Sequence, residues 1–499
     1  MNFPLLLLIL TLTPSTKERV RVRIINWRKM DRQKLTVIGG GPGGYAAAFF
    51  AADLGMEVTL INNEKNPGGV CLYRGCIPSK ALLHVAKLIN ETEEAKNWGL
   101  EFSKPKINLD KLREWKNKVI EKQTGGLGIL SKQRKINYIQ GTASFLNSST
   151  LKVEKAGGGS EELKFVKAII ATGSVIATIP FLNIESKRVL NSTTALDLPE
   201  IPKSLLVIGG GYIGLELGSV YNALGTKVSV VEMMPGLLPG ADRDLVAFLS
   251  RRVAQKFEKI MVNSKVLSIK EVKDGISVNI QDGEGNVTEQ TYDYVLMSIG
   301  RRPETRGLGL ENTKVKTNGR GWIAVNEQMK TDDDNIYAIG DIVGEPMLAH
   351  KASHEGRVAV EAILGHKVAF EPRAIPAVVF TDPEIAWAGL TEIKAREQNI
   401  KVDIAKFPWA ASGRATTLDR SDGVTKLIIE PETQRILGVG ICGPGAGELI
   451  AEGTLAIEMG ANATDLKLTI HPHPTLSETV MEAAEVFFGQ STHVYRPKK

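Results

Sequence analysis

The chain has 499 residues, 43% of them hydrophobic and 24% charged, the make-up of a soluble globular protein with room for roughly three domains of about 100–200 residues. Its three cysteines exclude a disulfide-stapled secreted scaffold. The net charge of +6 is concentrated in residues 1–30, where Lys17, Arg19, Arg21, Arg23, Arg28 and Lys29 face Glu18, so the near-neutral remainder excludes a basic nucleic-acid-binding face.

Residues 1–30 stand apart as an N-terminal extension. "FPLLLLILTL" has the length of a signal-peptide core, yet nothing basic precedes it and no small-x-small cleavage pattern follows. It is short for a bilayer span. Basic residues after an apolar run suit a cytoplasmic-facing anchor. Against that, "MDRQKLTVIGGG" opens directly into a strand and reads as the natural start. The second reading predicts a cytoplasmic protein without membrane association.

"KLTVIGGGPGGYAAAFFAADLGMEVTLI" predicts strand, glycine turn, alanine-rich helix and second strand, with Gly39, Gly41 and Gly44 in G-x-G-x-x-G spacing. Such glycines let a pyrophosphate approach the backbone at a helix N-terminus. The second strand ends in Asn62, where an acidic residue usually holds the ribose, with Glu64 nearby. Next comes "GGVCLYRGCIPSKALL", placing Cys71 and Cys76 at the entrance to a helix beginning near "PSKALLHVAKLI". Structural zinc needs four ligands, and none of suitable spacing surrounds this pair, so no metal is expected. Two idle thiols remain an alternative. A helix N-terminus and Arg74 favour thiolate, however, and a disulfide beside a nucleotide site suits electron transfer.

Residues 156–162, "AGGGSEE", read as a hairpin tip. "IIATGS" (169–174), "MSIGRRP" (297–303) and "NIYAIGDI" (335–342) are short apolar strands ending in glycine, the last placing Asp341 to hydrogen-bond a ribose or ribityl chain. Between them, "SLLVIGGGYIGLELGSVYNALGTKVSVVE" repeats the first module with Gly209, Gly211 and Gly214. Here Glu232 closes the second strand, a carboxylate that accepts from the 2′-hydroxyl of NAD and repels the 2′-phosphate of NADP. Two dinucleotide modules predict two electron carriers side by side. From "PAVVFTDPE" onward, strands alternate with turns and helices follow, predicting an α+β third domain with a mainly antiparallel sheet. Its "HPHPTLSE" sets His473 five residues before Glu478, a spacing that suits an imidazole oriented by a carboxylate; a loop pair or incomplete metal site is the alternative.

"GGVCLYRGCIPSKALL", "GGGYIGLELG", "SIGRRP", "YAIGDI", "MLAHKASHEG", "VVFTDPEIAWAGLTE" and "HPHPTLSE", in this order, make the chain after Met30 resemble the dihydrolipoamide dehydrogenases, the lipoamide-oxidising branch of the flavin disulfide reductase family. The resemblance implies an α/β fold with two Rossmann-like domains, for FAD and NAD, and a C-terminal α+β dimerisation domain. Its boundaries place FAD-binding parts at 31–174 and 301–371, NAD binding at 175–300 and dimerisation at 372–499. It further implies a homodimer with a shared active site and one non-covalent FAD per subunit. Cys71 would exchange with dihydrolipoamide, Cys76 would lie against the isoalloxazine, and His473 and Glu478 would come from the other subunit.

Lys80 and Glu216 match a pair near flavin N5. Gly141, Thr172, Gly173, Ser174, Asp341, Met347, Leu348, Ala349 and His350 match FAD contacts. Residues Gly209 to Glu216, with Glu232, Val266 and Gly300, match NAD contacts. Tyr212 falls where relatives carry an aromatic gate over the flavin, with helix packing as the alternative. The implied partners are lipoyl-bearing proteins of 2-oxo acid dehydrogenase or glycine cleavage complexes. Rival readings are a glutathione-type or mercuric-type reductase, disfavoured by Glu232, by "IPSK" and by the lack of a cysteine pair near the C-terminus, and a noncatalytic complex subunit.

Overall fold

Leu35, Val37 and Ile38 are buried together in the first strand, β1 (Lys34–Ile38), and a strand apolar on both faces belongs inside a helix-covered parallel sheet. The computed structural model, which describes residues 33–495, places it there; the extension 1–30 lies outside the described residues. β1 pairs in parallel with β2 (Glu57–Asn62) and, on its other side, with Lys167–Ile170, beyond which Ile336–Ala338 is added. Past β2, the long strand Asn137–Asn147 pairs in parallel and runs on into an antiparallel hairpin whose tip lies at 156–159.

Helix α1 (Pro42–Asp53) joins β1 to β2. It is built of alanine and glycine because the helix Ala349–Ile363 crosses it closely: a Cβ added to Gly356 would lie 2.9 Å from the Gly43 carbonyl oxygen. Residues from chain positions 300 apart thereby return to the first glycine loop.

The second module repeats the plan, with five parallel strands in the order Lys259–Met261, Lys227–Val231, Ser204–Ile208, Tyr294–Met297, Val189–Asn191. A three-stranded antiparallel meander covers one face. The chain crosses between the modules at Ser174–Ile176 and Arg301–Pro303, which pair with each other. The third domain is a five-stranded antiparallel sheet in the order Ala377–Val379, Ile385–Gly389, Ile436–Cys442, Val424–Ile429, Asp403–Pro408. Trp409, Phe407, Leu427, Ile450 and Val480 lie in its core. The architecture is therefore α/β, two Rossmann-like modules followed by an α+β domain.

A buried charge network bolts the third domain to the second module. Lys426 Nζ, with no exposed side-chain surface, meets Asp242 Oδ2 at 2.6 Å, Asp244 Oδ1 at 2.8 Å and Glu392 Oε1 at 3.0 Å. Lys406 bridges Asp244 and Glu392 from the rim. Removing the buried cation leaves carboxylates facing one another away from water. Lys426→Met is therefore expected to cost about 3–5 kcal/mol, read as a lower thermal unfolding midpoint; an unchanged midpoint would show that the network carries no net stability.

Candidate active site

The two sulfurs meet because the chain between them is bent at a glycine. Cys71 sits in a short helix, α2 (Gly69–Arg74), and Cys76 opens α3 (Cys76–Glu94), two residues earlier than the sequence suggests. A Cβ on Gly75 would lie 2.9 Å from the Val70 carbonyl oxygen, so glycine permits the tight approach of the two helices. Neither cysteine is bridged in this structure, and each perturbs the ionisation of the other. Donation from Cys71, together with the charge of Lys80, lowers Cys76 to about 7, whereas Cys71 is pushed up by that same hydrogen bond and by burial. Of the two sulfurs, Cys76 is therefore the one whose thiolate is favoured.

Lys80 lies one turn along α3, and its Nζ meets Glu216 Oε2 at 2.8 Å. The cation that acts on Cys76 is therefore Lys80; Arg74 also lines the cleft, but its charge is paired with Glu64.

A cleft of about 420 Å³ opens beside this pair. Gly39, Gly41 and Asn62 line it from the first glycine loop, Thr172, Gly173 and Ser174 from the next strand end, and Asp341, Met347 and Ala349 from the third. Tyr212 and Glu216 reach it from the second module, Tyr212 with 43% of its surface exposed. At α1 the N-cap is Gly41 without a side-chain bond, which leaves the first N–H groups facing the cleft. Asn62 turns back on its own loop: Oδ1 accepts from Gly40 N at 3.1 Å and Nδ2 donates to Tyr138 at 3.2 Å.

Several predicted residues lie elsewhere. Gly44 does not line the cleft; a Cβ there would collide with the Gly39 carbonyl, so it serves helix–strand contact. Gly141 sits within a strand against the Glu154 carbonyl, and His350 Nε2 bonds Pro376 O at 2.8 Å, tying the cleft's third wall to the last domain. Leu348 is the N-cap residue of the helix Ala349–Ile363 and is likewise outside the lining.

The sequence reading missed the polar links that hold this wall. Arg301 donates to Ser174 Oγ at 2.8 Å and to its carbonyl at 2.6 Å, while Ser174 donates to Asp341. Buried Glu355, paired with Lys351 at 2.7 Å, accepts from Gly340 N, next to Asp341, at 2.7 Å. "SIGRRP" and "HKASHEG" contained these residues, but nothing local told which partners they meet.

The second module's loop has its own geometry. Gly211 caps the helix Tyr212–Ala223 without a side-chain bond, and a Cβ on Gly214 would strike the Gly209 carbonyl. Glu232 Oε2 accepts from Gly210 N at 2.7 Å and Oε1 from Met234 N at 2.8 Å, occupying the position that Asn62 holds in the first module. Gly300 takes a φ of 113°, and Val266 is buried in the module core. A hollow lined by Met233, Ser264, Lys265 and Asp282 lies beside this strand end; Lys265 is a cation that local sequence did not associate with it.

His473 and Glu478 meet as the spacing suggested, Nδ1 to Oε1 at 2.9 Å. Burial alone would raise the Glu478 carboxyl, but Thr475 N–H at 2.7 Å and the imidazole hold it below its ordinary value. The imidazole is 74% exposed, and neither residue lines the cleft of its own chain. Leu455, Met459, Leu468 and Ile470 (94% exposed) stand bare just before it in sequence.

Residues 33–356 match the family described as pyridine nucleotide-disulphide oxidoreductase, and residues 375–484 match its dimerisation domain. The chain is 48% identical over 467 residues to a dihydrolipoyl dehydrogenase of Haemophilus influenzae, covering 94% of this chain and 97% of that one. It is 45% identical over 458 residues to the dihydrolipoyl dehydrogenase of Geobacillus stearothermophilus, covering 92% and 97%. Among solved structures, LpdA from Mycobacterium tuberculosis superposes with a TM-score of 0.84 at 27% identity, over 91% of this chain and 99% of that one. The HOCl-induced flavoprotein disulfide reductase RclA from Escherichia coli does so with 0.81 at 28%, over 91% and 99%.

Proposed function

Because the chain belongs to the pyridine nucleotide-disulphide oxidoreductase family, we propose that it is a dihydrolipoyl dehydrogenase, oxidising protein-bound dihydrolipoamide to lipoamide and passing the electrons through FAD to NAD⁺. The observation that carries this reading is the Cys71–Cys76 dithiol opening onto a cleft edged by a dinucleotide-type glycine loop.

The residues suit a dinucleotide flavin. Gly41 caps α1 without a side-chain bond and so leaves first-turn N–H groups free for a pyrophosphate, the Gly39 N–H being held by the Ile61 carbonyl at 2.8 Å, and Asp341 offers a carboxylate to a hydroxylated chain at the cleft's far wall. Thr172, Ser174 and Lys80 complete the lining. When bound, FAD supplies a two-electron relay between dithiol and nicotinamide. Gly209, Gly211 and Glu232 are assigned to NAD, with Tyr212 standing between the two sites.

The chain's own groups perform the thiol chemistry. His473 of the partner subunit takes the proton of one substrate thiol, and the resulting thiolate attacks Cys71 Sγ of the oxidised pair. The Cys71–Cys76 bond breaks, and Cys76 leaves as the thiolate that Cys71's neighbourhood and Lys80 favour. The second substrate thiol then displaces Cys71 from the mixed disulfide, its proton passing to Cys71, and lipoamide departs.

A homodimer supplies the distant imidazole. The bare Leu455, Met459, Leu468 and Ile470 beside it are what a self-complementary interface would cover. The substrate arm would come from lipoyl-bearing proteins of a 2-oxo acid dehydrogenase or glycine cleavage complex. None of the helices among the described residues is long and apolar enough to cross a membrane; the cytoplasm is the proposed compartment.

NADH formation from dihydrolipoamide, set beside NADPH oxidation with glutathione disulfide, tests the reading: activity in the second assay alone would replace it with a glutathione-type reductase, and activity in neither with a noncatalytic subunit. Coenzyme choice has its own test. Glu232→Ala removes the ribose acceptor and two loop hydrogen bonds, and is expected to raise KM for NAD⁺ roughly tenfold while narrowing discrimination against NADP⁺. Unaltered preference would move the determinant to the hollow around Lys265.

A further inference from the structure

Helix α3 carries Cys76 at its first residue, and it is gripped near both ends by one short segment of the third domain, residues 380–382. At the near end, Glu216 Oε2 takes the Lys80 ammonium at 2.8 Å while its Oε1 accepts from the backbone N–H of Phe380 at 3.0 Å. The Phe380 ring lies under the same ammonium, 4.5 Å from Nζ to the centroid. At the far end, Arg252 of the second module binds Glu94 on α3 and Asp382 at 3.1 Å. Arg420 holds Asp382 from the third domain at 2.5 Å.

Among the described residues, Lys80 is paired with the Glu216 carboxylate and the Phe380 ring, and Phe380 contacts both members of the pair. The ammonium is drawn toward Glu216, whose second oxygen is fixed by the Phe380 amide, and toward the ring face, whose quadrupole attracts a cation. A lysine side chain has long, easily reoriented torsions, so two such restraints determine where the charge sits relative to the sulfur one turn away.

We infer, on the reading of Cys71 and Cys76 as the working dithiol, that Phe380 is a positioning residue: its amide and ring fix the Lys80–Glu216 pair one helical turn from Cys76, so that the third domain sets the charge felt by the leaving sulfur. The titratable groups facing Cys76 are Cys71 from α2, Lys80 from its own helix, Glu216 and Tyr212 from the second module, and Tyr45 from α1. Of these, Lys80 is the one that the ring touches.

The test is iodoacetamide alkylation of Cys76 across pH in the dithiothreitol-reduced holoprotein, followed by peptide mass spectrometry. Phe380→Leu keeps the amide and loses the ring. It is expected to shift the Cys76 profile to higher pH and to cut alkylation at pH 7 roughly two- to threefold, whereas Phe380→Tyr, which keeps a ring face, restores the original profile. An unshifted leucine variant, or a tyrosine variant shifted equally, overturns the inference. If the leucine variant does not fold, Phe380→Met is titrated with the same two outcomes. The titration uses no dihydrolipoamide, so failure of the proposed reaction appears in the turnover assay and leaves the judgement on Phe380 separate.

Discussion

Cys76→Ser is expected to lower dihydrolipoamide-driven NADH formation by at least about a thousandfold while the protein keeps its flavin. The oxidised resting pair needs two sulfurs, so a serine at 76 leaves substrate nothing to exchange with. Cys71→Ser removes the exchanging sulfur and should fail as completely. The two variants differ in what survives. Cys76 is the thiolate of the pair, held near 7 by the Cys71 donor and by Lys80. Serine at 71 still donates, so that variant should keep a thiolate at Cys76, growing in as pH rises through about 7. It should also keep the long-wavelength absorption of a sulfur anion beside flavin. Cys76→Ser should lack both, because the sulfur assigned to the thiolate beside the flavin is gone; the hydrogen bond to Cys76 that chiefly raises Cys71 goes with it, so any thiolate left belongs to the exchanging sulfur. Retained turnover in Cys76→Ser, or a band that disappears with Cys71 instead, would overturn the assignment of roles.

The contrast between what could be read in advance and what could not follows the range of the forces involved. The glycine loops, the helix beginning at the redox pair and the His473–Glu478 contact depend on residues a few positions apart, where turn geometry and helix termini leave a pattern in the string. Lys80 meeting Glu216, Arg301 meeting Ser174, and Phe380 meeting both Lys80 and Glu216 span separations above 100 residues, and no local preference records them. Arg74 shows the hazard of local reasoning: adjacent in sequence to the sulfurs, it spends its charge on Glu64. Asn62 and Glu232 show a middle case. Each stands 22 residues after a loop glycine whose N–H it accepts, so their common place was legible. The further hold of Asn62 on Tyr138 was not. Gly141 and Val266, reached by resemblance, sit in a strand and a module core.

His473→Gln is expected to lose roughly 10²–10⁴-fold in dihydrolipoamide turnover, the usual worth of a positioned general base. Glu478→Gln should lose less, since an amide oxygen still accepts from Nδ1 and orients the ring. The sharper question is whose His473 serves which dithiol. In one chain the imidazole is oriented, 74% exposed and absent from the cleft that holds Cys71 and Cys76. A base built so carefully and pointed at solvent makes sense when a second copy brings its cleft to it. Mixing unfolded Cys76→Ser and His473→Gln chains and refolding them together decides the matter. In a heterodimer with crossed sites, one cleft pairs intact cysteines with the intact imidazole of its partner and the other collects both defects. With half the dimers mixed, and one site of two restored in each, activity should return to roughly a quarter of the unmutated level. If each chain used its own imidazole, every cleft in the mixture would carry one defect and activity would stay at the level of the separate variants. Recovery near a quarter therefore requires the twofold arrangement, and no recovery removes the base from the partner subunit.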